Sequence, residues 1–292
     1  MKKKIIMYAS IAVLLLCAAL ACWVCESIEQ CRTEIAVVRY EMAGDLNVPV
    51  RIVQLTDLHD HEFGEENREL AELVAAQEPD LILMTGDMLD RSDENADVVC
   101  ALIQELVAVA PVYYGYGNHE KAWEAVNGSS LTPVLEESGA IVLDCSYVDV
   151  TVGGMQLRIG GYHGYYRQPG MYDISPEQHQ AELAFCDDFE DTNRYKILLS
   201  HIPTAWIDWE YMNKYPVDLV LSGHYHGGQI RLPWLGGVYA PYIGLFPPYT
   251  EGIYEGEEAT CILSTGLGSS PGIPRINNLP QIVVVELNAY IS

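Results

Sequence analysis

The stretch LILMTGDMLDR, residues 81–91, decides how the rest of the chain is read. Its opening apolar run, unbroken by polar alternation, predicts a buried strand over 81–85. The strand ends abruptly at Gly86-Asp87, where the glycine permits a tight turn and close approach. One carboxylate, that of Asp87, is thereby delivered to the sheet's edge. Taken alone, Thr-Gly-Asp is an ordinary turn after a strand. Its neighbours change that reading.

Four other apolar runs end in the same way. Residues 50–56 lead into Asp57-Leu58-His59, and 112–116 into Gly117-Asn118-His119-Glu120. Farther on, 196–199 lead through Ser200 to His201, and 219–221 into Ser222-Gly223-His224-Tyr225-His226. A single histidine beside a strand is commonly structural, but five metal-competent side chains at five strand ends are not explained that way. In open α/β sheets the carboxyl ends of strands are where sites assemble, so these termini are expected to share one crevice. Asp-x-His and His-x-His spacing fits, because residues i and i+2 of an extended segment point the same way.

Helical periodicity over 65–76, stopped by Pro79, and over 93–108 sets helices between the first strands, with a further strand at 35–40. The β-α-β-α-β order requires a largely parallel sheet with helical crossovers. Shorter strands follow at 141–143, 148–152, 155–159, 260–263 and 282–286, besides those at 196–199 and 219–221. The expected fold class is α/β, a mixed two-sheet sandwich flanked by helices.

At the N-terminus, Lys2, Lys3 and Lys4 precede residues 5–24, which carry no charge. Twenty residues at about 1.5 Å each match the roughly 30 Å hydrocarbon core of a bilayer. The run is longer than a signal peptide's apolar segment and lacks a clear small-residue cleavage site, and Cys22 sits in a poor lipoprotein context. The chain therefore divides into a cytoplasmic basic tail (1–4), a transmembrane anchor (5–24), a juxtamembrane segment with the first strand (25–46) and one domain (47–292). Lysines before the span, with Glu26 and Glu29 after it, put the domain on the extracytoplasmic side of the cell membrane. A formal net charge of −25 argues against a nucleic-acid or anionic-membrane surface, both of which need basic footprints. All eight cysteines are read as packing residues, with a disulfide among Cys100, Cys145, Cys186 and Cys261 left open.

In chain order, Asp57-Leu58-His59, Gly86-Asp87-Met88-Leu89-Asp90, Gly117-Asn118-His119-Glu120, His201 and Gly223-His224-Tyr225-His226 resemble the motif blocks of the calcineurin-like metallophosphoesterase superfamily. The likeness runs from Val50 to Leu287. Gly227-Gly228-Gln229-Ile230-Arg231-Leu232-Pro233 and Gly266-Leu267-Gly268 make it resemble the membrane-associated bacterial branch that includes UDP-2,3-diacylglucosamine pyrophosphohydrolase-like phosphodiesterases. The resemblance implies a four-layer α/β/β/α sandwich and two divalent metal ions, Mn being favoured over Fe or Zn. Carried over by position, Asp57, His59, Asp87 and His226 hold one ion, and Asp87, Asn118, His201 and His224 the other. His119 would protonate the leaving oxygen, with Asp90 orienting its ring. Glu120 is expected behind the ligands and His61 in a solvated loop. The implied activity is hydrolysis of a phosphodiester or pyrophosphate bond by a hydroxide bridging the ions, and the all-N/O ligand set suits such metals.

The substrate is less legible. Tyr162, Tyr165, Tyr166 and Tyr172 accompany Arg167, and Trp234, Tyr239, Tyr242, Phe246 and Tyr249 follow the last motif. These aromatics either seat a lipid or nucleoside or pack the core. Arg167, Arg231 and Arg275 are candidate phosphate forks, each also suited to a surface ion pair, and Tyr225 is a candidate substrate contact. The expected substrate is a phosphate ester or pyrophosphate, lipid-linked or nucleotide. A general phosphatase acting on soluble esters and a non-catalytic binding protein on the same scaffold are the alternatives.

Overall fold

The computed structural model describes residues 2–44, 49–168, 175–240, 243–269 and 272–289. Helix α1 (Lys2–Thr33) leads into β1 (Ala36–Gly44), β2 (Val50–Leu55), α2 (Arg68–Ala75), β3 (Leu81–Met84), α3 (Asp97–Leu106), β4 (Val112–Gly115), α4 (Asn118–Asn127), α5 (Thr132–Glu137) and β5 (Ile141–Leu143). Then come β6 (Ser146–Val152), β7 (Met155–Gly161), α6 (Pro176–Glu190), β8 (Tyr195–Leu199), α7 (Thr204–Ile207) and β9 (Leu219–Ser222). The short strands β10 (Arg231–Leu232), β11 (Gly236–Gly237), β12 (Tyr239–Ala240) and β13 (Gly244–Leu245) form two small hairpins before β14 (Gly252–Glu255), β15 (Thr260–Leu263) and β16 (Gln281–Ala289).

Two mixed sheets result. One has the order β1-β16-β2-β3-β4-β5 and is parallel except where β16 meets β2. The other has the order β14-β15-β9-β8-β7-β6 and is antiparallel only at its two edges. Side chains alternate between cores as a pleated strand requires. Ile52, Leu81 and Leu83 meet Ile197, Leu199, Leu219 and Leu221 between the sheets. Val53, Leu55, Ile82 and Met84 face the other way, under α2 and α3. Leu198, Val220 and Cys261 pack outward against Phe189 of α6 and Trp206 of α7. Three apolar cores thus separate four layers, helix, sheet, sheet and helix, as the resemblance implied.

Several elements differ from the sequence expectation. The helix expected over 65–76 begins at Arg68, because Glu66 (φ 56°) and Asn67 (φ 59°) turn left-handed and the Asn67 side chain accepts a hydrogen bond from Phe63 N. The helix expected from residue 93 begins at Asp97, because the Asp93 side chain is taken up by Asp90 N and its carbonyl by Trp123 Nε1. Helices α4, α5 and α6 were not anticipated; α6 carries a capping box, with Ser175 Oγ accepting from Gln178 N and Pro176 opening the helix.

Helix α1 continues past residue 24 to Thr33 and is long and apolar enough to cross a membrane. Its apolar part is exposed, whereas Ser27 and Cys31 near its end are buried against the domain. Asn277 N donates to Ser27 Oγ, and His61 Nε2 donates to Arg32 O at 3.0 Å. His61 thus stays in a loop, as expected, but is partly buried there, packed edge-on to Phe63 against the end of α1. Among the described residues every cysteine is free, and Cys186 and Cys261 pack as expected.

The intersheet core holds the two halves together, so truncating it is expected to loosen both. Ile197→Ala should cost about 2–5 kcal/mol, read as a lower urea midpoint with an unchanged slope.

Candidate metal centre

The carboxyl ends of β2, β3, β4, β8 and β9 meet in one crevice. Those after β2, β3 and β9 turn so sharply that Asp57 (φ 54°), His59 (φ 48°), Asp87 (φ 53°), His224 (φ 75°) and His226 (φ 48°) all lie in the left-handed region. Asp and His tolerate that region better than most residues, but such a concentration is strain held in place by surrounding contacts. Two approaches are so close that only glycine fits. A Cβ on Gly117 would strike Asp87 Oδ1, and one on Gly223 would strike Asp57 Oδ2.

Within the crevice the donor atoms fall into overlapping groups. Asp57, His59 and His226 offer atoms within 4.8 Å of one another, as do Asp87, His201 and His224. His59, Asp87 and His119 form a group linking the two. His201 Nε2 lies 2.9 Å from Asp87 Oδ2 and 3.8 Å from Asp57 Oδ1, and His226 Nε2 lies 3.5 Å from Asp57 Oδ1. Asn118, the first residue of α4, has its Oδ1 buried without a hydrogen-bond partner, and the same holds for His59 Nε2. Two buried carboxylates ringed by nitrogen and oxygen donors, some without protein partners, fit divalent cations.

The electrostatics agree with the donor set. Burial raises the Asp57 carboxyl above its ordinary range even though His201 and His59 oppose it. Burial acts on Asp87 too, but His201, His119 and His59 outweigh it and hold that carboxyl well below the usual value. Burial takes His224 down to about 3 and pushes His226 well below the usual range, so both are neutral, the form that binds metals. His119 behaves differently: burial lowers it, and the hydrogen bond from its Nδ1 to Asp90 Oδ1 (2.9 Å), with the charge of Asp87, leaves it raised. Asp90 Oδ1 also receives His59 Nδ1 at 3.0 Å, a second contact that sequence reasoning missed.

Behind Asp87 lies a contact of larger consequence. Glu120 is fully buried, and its Oε2 accepts from Asp87 N (2.9 Å) and Gly117 N (2.8 Å), while its Oε1 accepts from Met88 N (2.9 Å) and Tyr114 OH (2.7 Å). Its place after Gly-Asn-His was the only signal available.

The expected substrate residues are engaged elsewhere. Arg167 pairs with Asp187 and Glu190, and Tyr162 and Tyr166 are buried with their hydroxyls on Glu182 and Glu190. Tyr225 is fully buried and bonded to Thr204, and Arg231 pairs with Glu251. These aromatics pack the outer core, and Arg167, Arg231 and Tyr225 each have their head groups bonded within the protein. Trp234 and Phe246 are exposed, and Tyr172 and Tyr242 lie outside the described residues. One unforeseen cluster, Asp144, Cys145 and His163, is a hydrogen-bonded network completed by Lys121.

Comparison with known proteins decides what this crevice is. Residues 50–228 match the family described as calcineurin-like phosphoesterase. The chain belongs to that family. The metallophosphoesterase YkuE of Bacillus subtilis (strain 168) is 30% identical over 256 residues, covering 82% of this chain and 79% of that protein. Phosphodiesterase YaeI of Escherichia coli (strain K12) is 27% identical over 256 residues, covering 86% and 87%. A second B. subtilis relative, the metallophosphoesterase YkoQ, is 27% identical over 243 residues, covering 82% and 83%. This calcineurin-like phosphoesterase is a metal-dependent hydrolase of phosphoric esters, with candidate ligand clusters for the family's dinuclear centre.

Removing Glu120 would strand four donors in a dry interior. Glu120→Ala is expected to cost about 3–5 kcal/mol in denaturant unfolding and to lower metal content, with Glu120→Gln retaining more of both.

Proposed function

We propose that Asp57, His59, Asp87 and His226 hold one divalent ion and that Asp87, Asn118, His201 and His224 hold the other, with Asp87 shared. The observation that carries this reading is the pair of three-residue groups, each built around one buried aspartate. Manganese is the metal we favour, and the all-N/O donors support it over thiolate-seeking ions. Two divalent ions bound there would neutralise phosphoryl charge and bring water's pKa toward neutrality, so no protein nucleophile would be needed.

The chain's own residues supply the remainder. Asp90 fixes the His119 ring through Nδ1, and the imidazole carries a proton to the leaving oxygen. Because Asp90 raises the folded pKa of His119, the acid form persists above the ordinary histidine range and is lost as pH rises through that raised value.

We further propose that α1 anchors the enzyme in the cell membrane as a single pass, with the domain extracytoplasmic, and that the substrate is a phosphodiester or pyrophosphate carrying a lipid. The exposed apolar length of α1, with three lysines before it, supports this placement. Turnover of a lipid pyrophosphate, a nucleotide diester and an aryl phosphate ester, with Mn added, tests the substrate. Equal kcat/KM on all three would favour a general esterase.

Asp87→Ala should reduce bound metal below two ions and abolish turnover of each ester, read by metal analysis and a burst-free assay. Replacing His119 with Gln should lower kcat by about 10²–10⁴-fold. In Asp90→Asn the support for the His119 proton is gone, so the alkaline limb of kcat/KM should move to lower pH; an unmoved limb would assign the proton elsewhere.

A further inference from the structure

Arg275 is the anomaly of this acidic protein. It is only 2% exposed, yet its Nε and Nη2 donate to the carbonyls of Gly268 and Thr265, and its Nη1 has no hydrogen-bond partner among the described residues. Burial pushes the guanidinium down to about 10 against the opposing pull of Asp57. A buried cation held by neutral carbonyls is costly unless an anion comes to it. Beside it lies a cavity of about 200 Å³, between the last turns of α1 and the segment that follows Gly266. Its walls include Arg32, His61, Ser269 and Arg275 on one side of its chemistry, and Ile28 and Pro274 on the other. Among the described residues no acidic side chain lines it, in a chain of net charge −25.

We propose that this cavity is a phosphate-binding site in which Arg275, Arg32 and His61 receive the phosphate of an anionic lipid headgroup at the foot of α1. Arginines are suited to that group because their N–H donors match phosphate oxygens. The apolar walls favour a phosphate with an acyl tail over a free one. So does the adjoining surface: residues 232–250 contain no charged side chain, and Trp234, Leu235, Leu245 and Phe246 of the two small hairpins are exposed. Those hairpins are tied to the same foot, since Asn277 donates to Arg231 O through its side chain and to Ser27 Oγ through its backbone. The occupied cavity would also sit behind the metal crevice, because Leu267 N and Gly268 N donate to Thr56 O and Asp57 O. Only the lipid source of the phosphate rests on the reading that α1 lies in a bilayer.

Titration calorimetry on the full, metal-loaded chain in neutral detergent tests the site, with short-chain phosphatidylglycerol, short-chain phosphatidylcholine and inorganic phosphate as probes. The expected result is saturable binding of phosphatidylglycerol above the other two, with Kd raised at least about tenfold in the double variant Arg32→Gln/His61→Gln. Arg275→Met, where it folds, should show the same loss. Inorganic phosphate binding as tightly as the lipid, and weakened equally by the double variant, would overturn the lipid and leave a free-phosphate site. Affinities unchanged by the double variant for every probe would overturn the site itself. Flotation with vesicles reads the placement of α1 separately, so a chain that binds the short-chain lipid but does not float would sink the membrane reading alone.

Discussion

The Glu120 carboxylate is the constraint on which the crevice depends. It gathers Asp87 N and Met88 N from the end of β3, Gly117 N from the end of β4, and the Tyr114 hydroxyl from β4 itself. Adjacent parallel strands would otherwise leave these N–H groups unpaired where the ladder stops. With both oxygens committed, Glu120 fixes the turn in which Asp87 is left-handed. His119 N then donates to Asp87 Oδ1 at 2.8 Å, so the backbone of the proposed proton donor also braces that aspartate.

Charge is distributed on two scales. The chain as a whole is strongly acidic, with a formal net charge of −25, which repels polyanions at long range. Locally, two buried carboxylates face the histidines; burial lowers His201, but Asp87 and Asp57 carry it up to about 9, a positive charge that a bound cation would supply in its place. A cation-lined cavity behind the same turn has the opposite polarity from the surface around it. Association with an anionic group is thus a property of particular sites, while the overall charge opposes it elsewhere.

Much of the fold was legible because buried parallel strands need unbroken apolar runs, and those runs stop where the turns begin. What escaped was long-range. Strand β16 inserts between β1 and β2, and no local pattern ties residue 281 to residue 36. The start of α3 slipped to Asp97 because Asp93 is occupied by a contact with Trp123, thirty residues on. Aromatics such as Tyr162 and Tyr166 were ambiguous in sequence because a tyrosine serves a core and a ligand pocket equally well. Their hydroxyl partners on α6, Glu182 and Glu190, decide for the core.

The sequence by itself determined the kind of chemistry: metal-competent residue types at the ends of five strands mark one shared crevice, and their resemblance to the calcineurin-like motif blocks implies a two-metal phosphoester site. Only the tertiary structure decided how those donors are held and what surrounds them. Glu120 as the anchor of the Asp87 turn, Asp90 shared between His59 and His119, and Arg275 buried on the carbonyls of Gly268 and Thr265 are each defined by contacts made in the folded chain. Packing selects those partners, and spacing along the chain carries no record of them.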